Sequence, residues 1–447
     1  MQKNDILAVA LMTFAFFLGA GNLVFPPMAG QQAGENLWWA LIGFLAIDVG
    51  LSLLAIIAIA LQGSPNALTR DLPPRIGMLF WVAVYVIIGP AFAVPRTAVV
   101  AFEIGIAPWF GQVEPWYLTA FSIIFFSIVI WLSIFPGKLV TIVGRILTPL
   151  LAGLLLAIYL CMLLTPHEAP GIPWNDYTSH PVIEGMIQGY LTMDTLGALA
   201  FGIVIASSVK GLGVKRREDV VKYTIIASVI AGVFLCLVYF GLFYLGATSR
   251  TIAPGATNGA QILSAYVYHL LGSGGLLALT AVIVLACLTT AIGVTTACGD
   301  YFHHQFQRAS YQFWIVLLAS LSALVANVGL ETLISLSLPV VVALYPVSIA
   351  LVLFSIARSF MPIPRTTVVL TVAVIFVIST SDSFSTIGLL PDWLLMTFKR
   401  LPLFSSGVGW LVPGVATFLV AWILCLLLKL RTRLKIRHYC RYETRSD

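Results

Sequence analysis

FFLGAGNLVFPPMAG, residues Phe16 to Gly30, is the stretch that decides the fold. It lies inside the first apolar run of the chain, yet it carries Gly19, Gly21, Asn22 and the pair Pro26 and Pro27. In lipid every backbone N–H and C=O must find a partner, so irregular backbone survives at membrane depth only where protein or a water-filled cavity surrounds it. Each glycine lowers helix stability by about 1 kcal/mol relative to alanine, and each proline removes a donor. A break here leaves free carbonyls on the first half-helix and free N–H groups on the second, ends that can hold a cation and a carboxylate respectively. The competing reading is a proline-kinked span packed through small residues. On this stretch alone the two stand level.

The rest of the chain supplies the membrane. Its 447 residues are 60% hydrophobic and 9% charged, with a mean hydropathy of +1.00, the composition of a polytopic membrane protein. Runs long enough to cross a bilayer recur about twelve times. They are Ile6 to Gly30, Leu37 to Leu61, Ile76 to Ile104, Trp116 to Ile134, Leu139 to Leu164 and Val182 to Val209, then Val220 to Ala247, Gly272 to Cys298, Phe313 to Asn327, Thr332 to Ile356, Thr366 to Thr380 and Phe404 to Leu428. The eleventh is short, and Asp382 with the Pro391 to Pro402 region suggests an added re-entrant piece. Lys3 ahead of an apolar run also fits a signal peptide, but the next span follows almost at once, so the run reads as a first crossing. The six cysteines are scattered through apolar runs without metal-type spacing and read as small core residues.

Lysine and arginine test the spans independently, because cytoplasmic loops collect them. All fall on the side of the N-terminus except Arg250, Lys399 and Arg400 opposite and Arg96 within a span. Both termini are therefore expected in the cytoplasm. The positive charge answers to the membrane, not to nucleic acid, and the basic tail after Leu428 reads first as a topology anchor beside lipid.

A second interrupted span shifts the balance on the first. GYLTMDTLGALAFGIVIAS, Gly189 to Ser207 in the sixth span, holds Thr192, Asp194, Thr195 and the pair Gly197 and Gly202 in mid-crossing. Five spans are an odd number, so a second copy of five enters from the other side, and the basic loops agree. The expected fold is therefore all-α, with a 5+5 inverted repeat whose first and sixth helices are broken around a midplane site. The first repeat covers about 6–164, the second about 182–357, and two extra helices about 366–430. In the eighth span, ACLTTAIGVTTACGD (Ala286 to Asp300) sets Thr289 and Thr290 side by side with Gly293 nearby. Two hydroxyls with a carbonyl of the same span and carbonyls from the broken first helix suit sodium. The alternative is that both threonines bond back to their own helix.

Charges at membrane depth are functional candidates. Asp48, about 11 residues into the second span, serves either coupling or a buried structural hydrogen bond. Asp194 pairs with a substrate amine or steadies unwound backbone. Arg96, between Pro95 and Glu103, is either a snorkelling side chain or a gate. Arg145 keeps its proton and cannot shuttle one.

These motifs carry a family resemblance. GAGNLVFPPMAGQQAGEN (Gly19 to Asn36), GPAFAVPRTA (Gly89 to Ala98), YLTMDTLGALAFG (Tyr190 to Gly202) and LTTAIG (Leu288 to Gly293) resemble the bacterial branched-chain amino acid carriers of the BrnQ-type LIV-II family, over essentially the whole chain. More distantly the chain resembles the LeuT-like fold. The resemblance implies sodium oxygens at Ala15, Leu18, Ala286, Thr289 and Thr290, and substrate at Phe16, Phe17, Ala20, Gly21, Asn22, Asp194, Thr195, Leu196 and Ala198. Coupling or gating falls to Asp48 and Arg96. An arginine that follows the Gly-x-Gly-Asn motif in many relatives is replaced here by the Phe25 neighbourhood, so the outer gate must be built differently. In proton-coupled relatives a lysine deep in the fifth helix substitutes for sodium, and Arg145 cannot. The implied activity is sodium-coupled import of leucine, isoleucine and valine across a bacterial inner membrane, with no cofactor beyond the coupling ion. The runner-up is a proton-coupled carrier of other neutral amino acids. A membrane enzyme finds no His-Glu-x-x-His or Gly-x-Ser-x-Gly, and a channel would want a continuous polar lining that no span shows.

Overall fold

A chain this apolar satisfies its backbone inside itself, and it does so with helices. The computed structural model describes residues 2–110, 114–135, 145, 148–164, 169–404 and 407–443, and no strand occurs among them. The first span is two helices, α1 (Lys3–Phe17) and α2 (Ala20–Ala33). The second is α3 (Leu37–Leu45) and α4 (Ser52–Gln62), joined by a π-helical turn over Ala46–Leu51. After the short α5 (Pro65–Leu68), α6 (Pro74–Val86) runs through an interruption at Gly89 into α7 (Ala93–Val100). The fourth span is α8 (Pro115–Ser133), and the described part of the fifth is α9 (Thr148–Leu164). Lys138 and most of the expected start of that span lie outside the described residues, as does Arg445.

The sixth span is again two helices, α10 (Pro181–Thr192) and α11 (Asp194–Gly211). Then follow α12 (Arg217–Ala247), α13 (Gly259–Gln305), α14 (Tyr311–Ala326), α15 (Leu330–Ala357) and α16 (Arg365–Thr386). A short α17 (Asp392–Phe398) precedes α18 (Leu411–Glu443). Among the described residues nine helical segments are long and apolar enough to cross a membrane. With α1 completing the first crossing and the shorter α9 and α14 adding two more, the expected count of about twelve is met.

Several boundaries differ from expectation for local reasons. The eighth span begins early, because α13 is capped by the Asn258 side chain, which accepts from the Gln261 N–H at 3.1 Å. It bends at Gly272, whose φ of +60° and ψ of −150° only glycine adopts freely. The eleventh runs on past Thr380, carried by buried Ser381, Asp382 and Ser383. The Pro391 to Pro402 region holds only α17, which buries no residue.

Two compact units divide the chain. The first comprises residues up to Ala67 with Leu79–Val341, and the second Leu68–Met78 with the chain from Val342 on. Within the first, glycines let backbones touch. A Cβ on Gly185 of α10 would lie 1.9 Å from the Ala40 carbonyl oxygen of α3, and one on Gly43 would lie 1.9 Å from that of Val182. Gly30 of α2 and Gly246 of α12 make the same reciprocal approach, so α2 is seated too closely for any larger residue. Arg145 pairs with Asp5 in the first turn of α1 at 2.8 Å, which puts its charge beside the start of the first helix. Within the second unit, Arg358 and Asp71 form an ion pair at 2.5 Å, both side chains 15% exposed. Large apolar side chains such as Trp131, Leu324 and Leu428 face outward along the helices, where lipid is their solvent.

Candidate functional site

The first break is made by two residues. α1 closes with the Leu18 N–H on the Phe14 carbonyl at 2.8 Å and the Gly19 N–H on that of Phe17 at 2.7 Å. Leu18, fully buried, turns out of the helix at ψ 73° and Gly19 completes the turn at φ −109°, ψ −163°. Glycine is required by closeness: a Cβ on Gly19 would sit 2.9 Å from Oγ1 and Cγ2 of Thr290. Pro26 and Pro27 lie beyond the break, inside the continuous α2. The prolines expected to help make the interruption are thus carried by helix and buried among neighbours.

Below this break α1 and α13 meet through oxygens. Thr290 Oγ1 donates to the Ala15 carbonyl at 3.1 Å. Thr289 Oγ1 donates to the same carbonyl at 3.3 Å and to its own helix at Ala286, 2.9 Å. The back-bonding weighed from the sequence is seen at Thr289, and both hydroxyls also reach across to α1. The set is neutral hydroxyls and carbonyls, donors of the kind a hard monovalent cation accepts, whereas a calcium-type site would add carboxylates. Among the described residues no cluster of three His, Cys, Asp or Glu side chains is placed to hold a metal.

The second break falls on Met193, not on a glycine. Met193 takes a left-handed conformation (φ 68°, ψ 15°) between α10 and α11, a strain of about 1–3 kcal/mol for a residue with a Cβ. α11 is continuous through Gly197 and Gly202. What holds the strained turn is visible. The Arg96 guanidinium donates through Nη1 to the Leu191 carbonyl at 2.8 Å and through Nη2 to that of Thr192 at 2.9 Å. Thr192 Oγ1 donates to the Gly189 carbonyl at 2.7 Å. Arg96 is 5% exposed and stacks over the Phe25 ring, 5.4 Å from its centroid. It does not snorkel; it caps the last carbonyls of α10 from the third span, and it fills the place beside Phe25 that the sequence left open.

Asn22 ties the two breaks together. Its Nδ2 donates to Asp194 Oδ2 at 2.7 Å and to the hydroxyl of Tyr239 on α12. Asp48, on the π turn of the second span, is fully buried and its oxygens complete no hydrogen bond, with Thr192, Tyr239 and Asp194 as polar neighbours.

Between the breaks lies a cavity of about 30 Å³. Phe16, Phe17, Ala20, Gly21, Asn22 and Asp194 line it, as do Arg96 and Thr290. Thr195, Leu196 and Ala198 are not on its wall: Thr195 Oγ1 lies 3.3 Å from the Ser52 hydroxyl and 3.4 Å from the Ile47 carbonyl, and the other two are fully buried in packing. The sequence did not point to Ile88 and Thr97 of the third span, Met193, or Phe201 of α11, all on the wall. Phe201 stacks on Phe16 at 5.1 Å and meets Phe17 edge-on at 5.5 Å, giving one apolar side. The volume is far below the roughly 300 Å³ at which small-molecule sites begin, so a guest must push these side chains apart. A larger groove of about 400 Å³ beside α1, α9, α12 and α13 is walled by leucines, phenylalanines and Tyr159 and offers no set of polar groups to orient a solute.

Residues 2–428 match the family model for branched-chain amino acid transport protein. A branched-chain amino acid transport system 2 carrier protein from Pseudomonas aeruginosa is 46% identical over 429 residues, 95% of this chain and 97% of that one. Among solved structures, MhsT in complex with L-phenylalanine superposes at a TM-score of 0.56 with 15% identity, covering 95% of this chain and 98% of the other. A Na+-coupled sialic acid symporter superposes at 0.59 with 14% identity, covering 94% and 90%. At those identities the likeness establishes the fold alone, that of the LeuT-type transporters with broken first and sixth helices.

Proposed function

The chain belongs to the family of branched-chain amino acid transport proteins, and from that premise we propose that it imports leucine, isoleucine and valine by symport with sodium, alternating access around α1, α2, α10 and α11. One observation carries the coupling: the hydroxyls of Thr289 and Thr290 converge on the Ala15 carbonyl directly beneath the broken first helix. Turning those hydroxyls so that their lone pairs face a cation would join α1 to α13 through the ion, with Leu18 and Ala286 supplying further carbonyls. Binding the ion then biases the position of α1, which is how a gradient can drive a conformational cycle. The substrate site is the cavity above, at Phe16, Phe17, Ala20, Gly21, Asn22 and Asp194, with Phe201 facing the side chain of the guest and Thr195, Leu196 and Ala198 supporting it from behind.

The second reading, coupling to protons, rests on Asp48 and Asp194, two carboxylates beside the second break. Leucine uptake into proteoliposomes under an imposed sodium gradient, set against a matched proton gradient, separates the two. Uptake that follows protons alone would sink sodium coupling. The same scheme places both termini in the cytoplasm of a bacterial inner membrane, with repeats over about 6–164 and 182–357 followed by two extra helices. A periplasmically active reporter fused after Glu443 should stay silent, and a signal from it would overturn the topology.

A further inference from the structure

The cavity wall carries one permanent cation and one carboxyl group. Arg96 reaches it from α7 and Asp194 from the start of α11. An arginine keeps its charge in such a place, and burying a permanent charge costs several kcal/mol unless it is answered. Two of its donors are taken by the Leu191 and Thr192 carbonyls. Its Nε is buried and has no partner.

The guanidinium also lies against the first turn of α2. A Cβ on Gly21 would sit 2.7 Å from Arg96 Nη2, so glycine at this position keeps the arginine in the wall. No side chain caps the N-terminus of α2, and its free N–H groups carry the positive end of a 14-residue helix. Two independent sources of positive potential, an uncapped helix start and an arginine with an unused donor, therefore meet on one side of a 30 Å³ cavity. The other polar feature of the wall is the Asp194 carboxylate, oriented by Asn22.

We propose that this wall is a receptor for a zwitterion, in which Arg96 directly ligates the carboxylate of the bound amino acid and Asp194 faces its ammonium group. The proposal rests on the amino acid transport reading but not on the choice of coupling ion. Capping α10 does not by itself call for a permanent charge, since a neutral amide can donate to a carbonyl. A permanent charge and a carboxyl group lining one cavity suit a guest that brings both signs in one molecule. A solute that lacks one of them leaves one of these two groups without its guest partner, so the arrangement disfavours simple amines and simple carboxylic acids of the same shape.

The test is equilibrium binding to the purified full chain, followed by intrinsic tryptophan fluorescence, with leucine, leucinol (no carboxylate) and 4-methylpentanoate (no ammonium). Wild type should favour leucine over leucinol by about 100-fold or more. In Arg96→Gln, leucine should weaken by about 30-fold or more while leucinol changes by less than about 3-fold, so that the ratio collapses. Asp194→Asn should do the same to the ratio of leucine to 4-methylpentanoate. If Arg96→Gln weakens leucine and leucinol alike, or leaves leucine unchanged, Arg96 only caps the helix and the proposal is overturned. If that variant does not fold, Arg96→Lys decides: it keeps the charge but loses the fork, and a leucine-to-leucinol ratio equal to wild type overturns the proposal. Failure of wild type to bind leucine at all would instead remove the transport reading beneath it.

Discussion

Replacing Thr290 by valine removes one oxygen from the junction of α1 and α13 and keeps the shape of the side chain. The structure makes this the sharper of the two threonine changes. Thr289 divides its hydroxyl between Ala286 at 2.9 Å and Ala15 at 3.3 Å, whereas Thr290 gives its own to Ala15 at 3.1 Å. Without an ion the loss is one ordinary hydrogen bond, about 0.5–1.5 kcal/mol of stability. With a cation held among these oxygens the lost contact is to a charged partner, about 1.5–3 kcal/mol, or roughly 10- to 150-fold in sodium affinity at 1.4 kcal/mol per decade. Thr290→Ser keeps the oxygen and should stay within about 3-fold of wild type. The assay is initial leucine uptake into proteoliposomes as a function of external sodium, with melting temperatures taken alongside. Equal shifts in the valine and serine variants, or an unshifted sodium dependence in the valine variant with uptake intact, would refute the reasoning.

Three further outcomes are expected. Gly185→Ala should lose at least about 1–3 kcal/mol of stability, because its Cβ meets the Ala40 carbonyl at 1.9 Å; Gly211→Ala, with nothing within 4 Å, is the control, and equal melting temperatures would contradict the packing. Asp71→Ala leaves the largely covered Arg358 guanidinium with only the Ile363 carbonyl, 3.2 Å from Nη2, and should cost about 1–3 kcal/mol, read as lost thermal stability; an unchanged melting temperature would show that solvent reaches the pair. Asp48→Asn puts an amide donor where two carboxylate oxygens go unanswered and should raise the melting temperature by an amount corresponding to about 1–3 kcal/mol; a marked drop would mean that Asp48 has a partner the folded state depends on.

The spans were legible because membrane helices announce themselves by length and hydropathy, and the first break because Gly19 and Gly21 stand where only a site tolerates them. The detail that decided the break was tertiary. Gly19 is small for the sake of Thr290, far away in the chain, and no local rule contains that distance. The prolines misled for a related reason: α2 is gripped by α12 and α13 through contacts at Gly246 and Gly259, and packing of that density holds a helix together across two missing donors. In the sixth span the glycines drew attention and the methionine did not. Met193 bends because Arg96 on another helix holds the two carbonyls before it, so the strain is supported from outside the segment whose sequence would have to reveal it.

The same logic explains why the polar centre was only partly readable. Asn22, Asp48 and Asp194 stood out as polar residues in apolar runs, but Tyr239, which accepts from Asn22, is an aromatic residue in an apolar span and unremarkable there. Once Tyr239 is in place the geometry has a consequence. Asn22 sits on the half-helix after the first break and Asp194 opens the half-helix after the second, and one amide donates to Asp194 and to α12 together. Neither half-helix can swing without breaking a buried hydrogen bond to the other or carrying it along. Bond loss in a buried network leaves donors and acceptors unsatisfied at about 1–3 kcal/mol each, whereas moving together loses nothing. The two breaks therefore favour motion as one body, while the Thr289 and Thr290 contacts lie on the other side of the first break, on α1, and are free to change with the ion. On the proposed scheme a coupling ion in that position would bridge α1 and α13, and α1 would shift relative to the linked pair of α2 and α11.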